Sequence, residues 1–184
     1  MDGETDQGAS FEERVLEELG QVNQKLDSLL GEIGRLKGRS LEQRVREQIT
    51  HYLRGVVSAA RIVELEDVLA RFDLGAVDPP ELEALEKADL LAEGLRRDGA
   101  AHPVHVVAEI SWRVNEHDVK RAHDRARTLA IGAGRPAIGA VISDDIPSGH
   151  VIEAARALGV AVIDGDGTVL EVGGLIDVPN DTAE

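Results

Sequence analysis

The sequence predicts an α/β protein in which a mixed sheet, flanked by helices, follows an N-terminal coiled-coil helix. Two patterns support this prediction. Apolar residues recur every three or four positions between residues 15 and 36, and strand-like apolar runs alternate with amphipathic helical segments after residue 88. With 184 residues, 42% of them apolar, the chain is long enough for one globular domain and an appendage.

The N-terminal helix is predicted from a heptad pattern. Its apolar positions are separated by 4, 3, 4, 3, 4 and 3 residues, which is the repeat of a coiled-coil seam. The seam consists of Val15, Leu19, Val22, Leu26, Leu29, Ile33 and Leu36. Leu16 and Leu30 widen the stripe, which leaves dimer, trimer and tetramer open. We expect a homo-oligomer formed through residues 15–36; a helix packed on its own domain is the alternative.

Composition and charge narrow the class of protein. The absence of cysteine excludes disulfide frameworks, thiolate zinc sites and cysteine nucleophiles. No run approaches the roughly 18 apolar residues of a spanning helix, and acidic residues follow Met1 where a secretory signal is basic. These features predict a cytoplasmic protein without a membrane partner. The formal charge of −15 opposes a surface coated with nucleic acid but permits a local basic groove.

Composition also sets the expected domain boundaries. The polar ends of the chain predict disordered tails, and the heptad segment and the α/β pattern lie between them. The expected order is a tail at 1–10, a coiled-coil helix at 11–38, an α/β domain at 40–176 and a tail at 177–184. Within the domain, residues 64–86 predict two short helices that form an insertion.

A second helix is expected directly after the coiled coil. Gly38 is expected to end the seam, and Ser40 with Gln43 forms a capping box, which is a helix-start signal. Apolar residues then recur with helical period as far as Val56, which predicts an amphipathic helix of about 16 residues. Glu42 falls inside its apolar arc. A carboxylate there needs a partner, because burying it unpaired costs several kcal/mol.

The remaining elements follow from changes in apolar periodicity. The predicted order is a strand at 88–95, a strand at 104–112, a helix at 115–131, a strand at 136–142, a helix at 148–158, a strand at 160–163 and a last hairpin into 168–172. The first two strands are close in sequence and should form an antiparallel hairpin.

Candidate functional residues lie on that hairpin. Side chains alternate across a strand, so Asp89 and Glu109 share one sheet face if odd positions pair with odd positions. Glu42 could complete a trio of carboxylates. Three converging carboxylates suit a hard divalent cation, and we expect Mg²⁺ bound by Glu42, Asp89 and Glu109. The alternative is that Asp89 is a cap and that Glu109 pairs with an arginine such as Arg113 or Arg125.

These residues carry a resemblance to a known superfamily. Glu42 on the first helix, Ala88-Asp89-Leu90-Leu91, and Glu109-Ile110-Ser111 at the end of the next strand resemble the PD-(D/E)XK nucleases, which have the restriction-endonuclease-like fold. The resemblance covers roughly residues 40–164, and the leading coiled coil is similar to a bacterial branch of that superfamily. It implies that the acids bind Mg²⁺ and that a lysine two residues after the second acid helps activate or position the attacking water.

The expected lysine position is occupied by Ser111, whose hydroxyl supplies neither a positive charge nor a general base at neutral pH. Of the four lysines in the chain, Lys25 and Lys37 lie in the coiled coil. Lys87 and Lys120 are therefore the candidates to replace the missing lysine in the catalytic set.

A basic stretch follows the hairpin. Residues 113–135 contain six basic and three acidic residues, a net charge of +3 in a chain of −15. This stretch is the candidate DNA- or RNA-binding surface, with Arg113, Lys120, Arg121, Arg125 and Arg127 as phosphate contacts. The alternative is a solvated helix with i,i+4 ion pairs such as Glu116 with Lys120.

Two functions follow from these expectations. The first is an oligomeric, Mg²⁺-dependent nuclease-like phosphodiesterase that acts on nucleic acid. Its catalysis is impaired if no other lysine replaces the one missing at Ser111. The second is a non-catalytic oligomeric interaction or scaffold protein, in which the coiled coil assembles copies of a degenerate nuclease fold.

Overall fold

The computed structural model describes residues 11–97 and 102–178. The tail predicted at 1–10, and the tail predicted at 177–184 from residue 179 onward, lie outside them. The chain divides into two compact units, Met1–Lys37 and Gly38–Glu184. The first unit contains most of a long helix, and the second is a mixed α/β domain. The boundary falls at the glycine where the sequence predicts the end of the coiled coil.

The described elements, in chain order, are α1 (Phe11–Glu47), α2 (Ile49–Leu53), β1 (Val57–Ile62), α3 (Leu65–Leu69), α4 (Pro79–Leu85), β2 (Leu90–Arg96), β3 (Pro103–Ser111), α5 (Glu116–Ala133), β4 (Ala137–Ser143), α6 (Gly149–Leu158), β5 (Ala161–Asp164) and β6 (Val169–Glu171). A long N-terminal helix, the two short helices of the insertion, and every strand and helix predicted after residue 88 are confirmed. Their ends differ from the predicted ends by a few residues.

The predicted break between two N-terminal helices is wrong. Helix α1 passes through Gly38 and Ser40 without interruption and ends at Glu47. A glycine inside an exposed helix costs only about 1 kcal/mol relative to alanine, and a serine caps a helix only where the preceding backbone leaves helical geometry. The chain turns instead at Gln48, whose ψ of 34° is not helical. The predicted 16-residue helix is therefore divided between the end of α1 and the five-residue α2.

Strand β1 was not predicted. The segment from Val57 to Ile62 lies between the predicted helix and the predicted insertion, and it pairs antiparallel with β2. Val57 and Ala60 are buried, so the signal was the apolar, β-branched run from Val56 to Val63. Its interior Ser58, Ala59 and Ala60 give it no regular alternation, which is why it merged with the helical pattern before it.

The described residues form one six-stranded mixed sheet whose strands lie in sequence order. Strands β1, β2 and β3 form an antiparallel meander, β3, β4 and β5 are parallel, and β6 returns antiparallel to β5. The predicted hairpin is thus part of the meander, with odd positions of β2 opposite odd positions of β3. Helices α5 and α6 provide the crossovers that the two parallel pairs require.

Both faces of the sheet are buried. Even positions of β2 and β3, as predicted, pack in a core with Leu41 and Val45 of α1 and with α2. The odd face is covered by α3, α4 and α5 around Leu91 and Val107, and by α5 with α6 around Val141. This arrangement places α5 directly over the odd side chains of β3, where the candidate acid Glu109 lies.

Local signals explain where α5 begins and ends. The Asn115 side chain accepts hydrogen bonds from the backbone N–H groups of His117 (2.8 Å) and Asp118 (3.2 Å), and the Asp118 carboxylate accepts one from Asn115 N (2.9 Å). This reciprocal pair is a capping box. The helix ends at Gly134 with φ of 58°, a left-handed conformation that favours glycine.

Among the described residues, no helix is long and apolar enough to cross a membrane.

Candidate functional site

The structure brings Asp89 and Glu109 together. Leu90 pairs with Ala108 and Leu91 with Val107, so the same register places Asp89, just before β2, opposite Glu109 near the end of β3. The Asp89 Oδ2 atom accepts a hydrogen bond of 2.7 Å from the backbone N–H of Ile110. This bond holds the Asp89 carboxylate next to the residue that precedes Ile110, which is Glu109.

Glu42 reaches the same region from α1 through an arginine. Its Oε1 accepts a hydrogen bond of 3.0 Å from Arg46 Nε, an i,i+4 ion pair on the helix. The Arg46 guanidinium also donates to the backbone carbonyl of Asp89. Glu42 is only half-buried, so its predicted place inside the apolar arc is at the edge of that arc. It is near enough to Asp89 for its charge to influence that carboxyl.

Glu109 is closed off by two arginines of α5. The residue is 1% exposed. One carboxylate oxygen accepts from Arg121 Nε at 3.0 Å, and the other accepts from the buried guanidinium of Arg125. Arg121 is held in turn by Asp118, whose Oδ1 lies 2.7 Å from Arg121 Nη2. The four residues form a network of two carboxylates and two guanidiniums under α5.

Burial dominates the electrostatics of the acids. Desolvation raises the pKa of Asp89; the hydrogen bond from Ile110 opposes it, and the charge of Glu42 adds to it. Desolvation likewise raises the pKa of Glu109; Arg125 opposes the shift, while the charge of Asp89 adds to it. Glu42 therefore acts on Asp89, and Asp89 acts on Glu109. Glu109 is paired with two guanidiniums and Glu42 with one.

The two lysines proposed to replace Ser111 are engaged elsewhere. Lys87 Nζ lies 2.7 Å from Glu83, and Lys120 Nζ lies 2.5 Å from Asp124, both as exposed i,i+4 pairs. The Ser111 hydroxyl donates to the backbone carbonyl of Arg113 at 3.0 Å. In this arrangement neither lysine contacts an acid of the candidate cluster, and the positive charges that do are arginines.

The predicted phosphate contacts are largely paired with acids of the chain. Arg121 and Arg125 bind Glu109, Lys120 binds Asp124, and Arg113 Nε lies 2.9 Å from Asp145. Arg127 is exposed. The predicted i,i+4 pair of Glu116 with Lys120 gives way to the pair of Lys120 with Asp124, so the stretch is basic in sequence but mostly compensated in space.

Within residues 11–97 and 102–178, no group of three or more His, Asp or Glu side chains is arranged to hold a metal ion. The Mg²⁺ site stays a prediction. Three contacts were not predicted, that of Asp118 with Arg121, that of Arg121 with Glu109 and that of Arg46 with Asp89. The first was readable from the sequence, because residues 118, 121 and 125 are three and four apart and share one helix face.

Comparison of the chain with family models, with curated proteins and with solved structures found no match. The candidate site is therefore interpreted from its own geometry.

Proposed function

We propose that this chain is a non-catalytic, oligomeric interaction protein, in which the N-terminal coiled coil assembles copies of a degenerate restriction-endonuclease-like domain. The order of elements supports the fold proposal. A helix carrying Glu42 leads into a hairpin with Asp89 and Glu109 at adjacent strand ends, and a helix and a parallel strand follow.

The closure of Glu109 is the observation that favours a non-catalytic role. A carboxylate that binds a hydrolytic metal ion needs a free oxygen and access for water and substrate. Glu109 is 1% exposed, and both of its oxygens accept from arginines. Ser111 supplies no replacement charge, and Lys87 and Lys120 are paired outside the cluster. In this network the buried charges compensate one another, which supports a structural role for Glu109 and not a ligand-binding one.

Mg²⁺ binding to the whole protein tests this proposal. A ligand that binds only the folded state raises the unfolding temperature, so we expect the same temperature in millimolar MgCl₂ and in NaCl of equal ionic strength. We also expect no Mg²⁺-dependent cleavage of single- or double-stranded DNA or RNA. The proposal is wrong if cleavage occurs, disappears in Asp89→Asn and Glu109→Gln, and persists in Glu153→Gln, a matched change on the exposed face of α6.

A second candidate function is a Mg²⁺-dependent nuclease, and one observation favours it. The charge of Glu42 raises the pKa of Asp89, and the charge of Asp89 raises the pKa of Glu109. Like charges are costly to hold together, and a divalent cation would relieve that cost. This function requires Arg125 to leave Glu109 when the metal binds. A Mg²⁺-dependent shift of the Arg125 side-chain NMR signals would support it.

A further inference from the structure

A cavity of about 250 Å³ opens between the odd face of the sheet and the α3 segment, and the proposed functions do not use it. Its ionisable lining residues are Arg61, Asp67, Arg71, Glu93, His105 and Arg135. Three of them form a row across the sheet, because Arg61 on β1 pairs with Glu93 on β2, which pairs with His105 on β3. His105 lies four residues before Glu109 on the same strand, so this cavity is distinct from the acidic cluster.

The cavity has more guanidinium than carboxylate charge. Glu93 is shared by two cations, with Arg61 on one oxygen and Arg135 Nη1 3.6 Å from the other. Arg71 is exposed and, within the described part of the chain, takes part in no ion pair. Three guanidiniums against two carboxylates make this cavity positive in a chain whose net charge is −15.

His105 is the second observation that points to a ligand. The residue is 6% exposed, and its Nδ1 atom is buried without a hydrogen-bond partner among the described residues. A buried polar atom without a partner is destabilising, and unpaired groups of this kind are found where a water, ion or ligand completes them. Burial and the charge of Arg135 lower the pKa of His105, so the imidazole is neutral at pH 7.

We propose that this cavity is a binding site for a small phosphate group, as free phosphate or as a phosphate monoester. Guanidiniums from three separate elements, on β1, after α3 and before β4, suit the several oxygens of a tetrahedral anion better than the two of a planar carboxylate. Arg71 is the cation free to take the ligand, and Glu93 is the carboxylate that competes with it. His105 lines the same cavity, and a phosphate oxygen bound there can accept a hydrogen bond from its unpartnered Nδ1 atom.

Calorimetric titration of the full chain with sodium phosphate and with AMP, at constant ionic strength, tests the site. We expect saturable binding at millimolar or lower concentration, weaker by about tenfold or more in Arg71→Gln, because a hydrogen bond to a charged group is lost. The matched control is Arg54→Gln, an exposed arginine outside the cavity, which should bind as the wild type does. Tighter binding of AMP than of phosphate assigns the monoester, and equal binding assigns free phosphate.

Glu93→Gln gives a test of opposite sign. It removes the competing carboxylate, so phosphate should bind more tightly than to the wild type. General charge screening does not produce this effect at constant ionic strength.

The proposal is overturned by the absence of saturable phosphate binding, or by Arg71→Gln binding phosphate as the wild type does. If a buried water completes His105, phosphate leaves the His105 ring ¹⁵N shifts unchanged, which also overturns the site. None of these outcomes depends on Mg²⁺.

Discussion

The ion pair of Glu109 with Arg125 is a buried feature on which the stability of the α/β domain should depend. Both side chains are buried, and removing one partner of a buried pair leaves an uncompensated charge, which typically costs about 3–5 kcal/mol. We therefore expect Glu109→Ala to lower the free energy of unfolding by about that amount in urea titrations. Glu153→Ala on exposed α6 should change it by less than about 0.5 kcal/mol.

A double variant separates a structural role from a metal-binding one. Glu109→Met combined with Arg125→Met removes both charges and keeps apolar volume, so most of the lost stability should return. Recovery in the double variant indicates that Glu109 serves the fold. A single Glu109→Ala variant as stable as the wild type would contradict the buried network.

His105 should make the stability of the domain depend on pH. Because its folded pKa is lowered below the usual 6.5, the unfolded chain binds more protons than the folded one between those two values. The contribution of neutral His105 to the free energy of unfolding is therefore fully present above about pH 6.5. It is lost as the pH falls through the pKa of His105 in the folded protein. Unfolding of the wild type and His105→Leu should be compared between pH 7 and 5, where Asp89 and Glu109 act equally on both proteins. A steeper decline in the wild type is expected, and parallel curves would contradict it.

The candidate site was only partly predictable at this scale. Alternation along two strands was enough to place Asp89 beside Glu109, because a hairpin fixes which side chains share a face. The sequence offered Arg113 or Arg125 as the partner of Glu109 but could not choose between them, since the rotation of α5 over the sheet decides which arginines point inward. The structure pairs Glu109 with Arg121 and Arg125, which are two of the predicted phosphate contacts.

At the scale of elements, the width of the α1 seam predicts the number of helices that pack together. The side chains of the seam between residues 15 and 36 are 37–65% exposed. Leu16 and Leu30, which lie beside the seam, are 69% and 65% exposed. Leu16 and Leu30 widen the apolar stripe beyond a strict two-position seam, and a wider stripe favours an assembly of more than two helices. We expect light scattering of the intact chain to give more than two copies.

Polar replacement of the two flanking leucines tests that expectation. Leu16→Gln with Leu30→Gln narrows the stripe to the seam itself and should reduce the assembly to a dimer. Leu26→Asp places a charge within the seam and should give monomers, whereas Gln24→Glu, outside the stripe, should leave the assembly unchanged. An intact chain that is already a dimer would contradict the wider interface.

Periodic elements were predictable and irregular ones were not. The hairpin and the α5–β4–α6–β5 succession have long, regular apolar patterns with clear caps, such as Asn115 and Gly134. Strand β1 was missed because its six residues alternate poorly and adjoin a helical pattern. The break at Gly38 was wrong because a weak local preference of about 1 kcal/mol does not stop a helix that continues favourably on both sides, with Leu41 and Val45 buried beyond it.

At the scale of the whole molecule, folding and assembly should be separable. The buried apolar side chains of all three core clusters lie between Leu41 and Ile163, inside the unit Gly38–Glu184. The seam residues of the first unit are exposed, and we expect them to gain burial against other copies. We therefore expect the stability of the α/β domain to come from its own core, and the predicted coiled coil to assemble copies without contributing to that core.

A chain beginning at Gly38 tests this separation. We expect it to be monomeric by light scattering and to unfold at the same urea concentration as the intact chain made monomeric by Leu26→Asp. That comparison is needed because oligomerisation itself raises apparent stability by mass action. The buried ion pair of Glu109 and the cavity around His105 are both within the shortened chain, so phosphate binding should also persist. If the shortened chain unfolds at a clearly lower urea concentration than the monomeric variant, residues before Gly38 contribute to the domain, and assembly and folding are coupled.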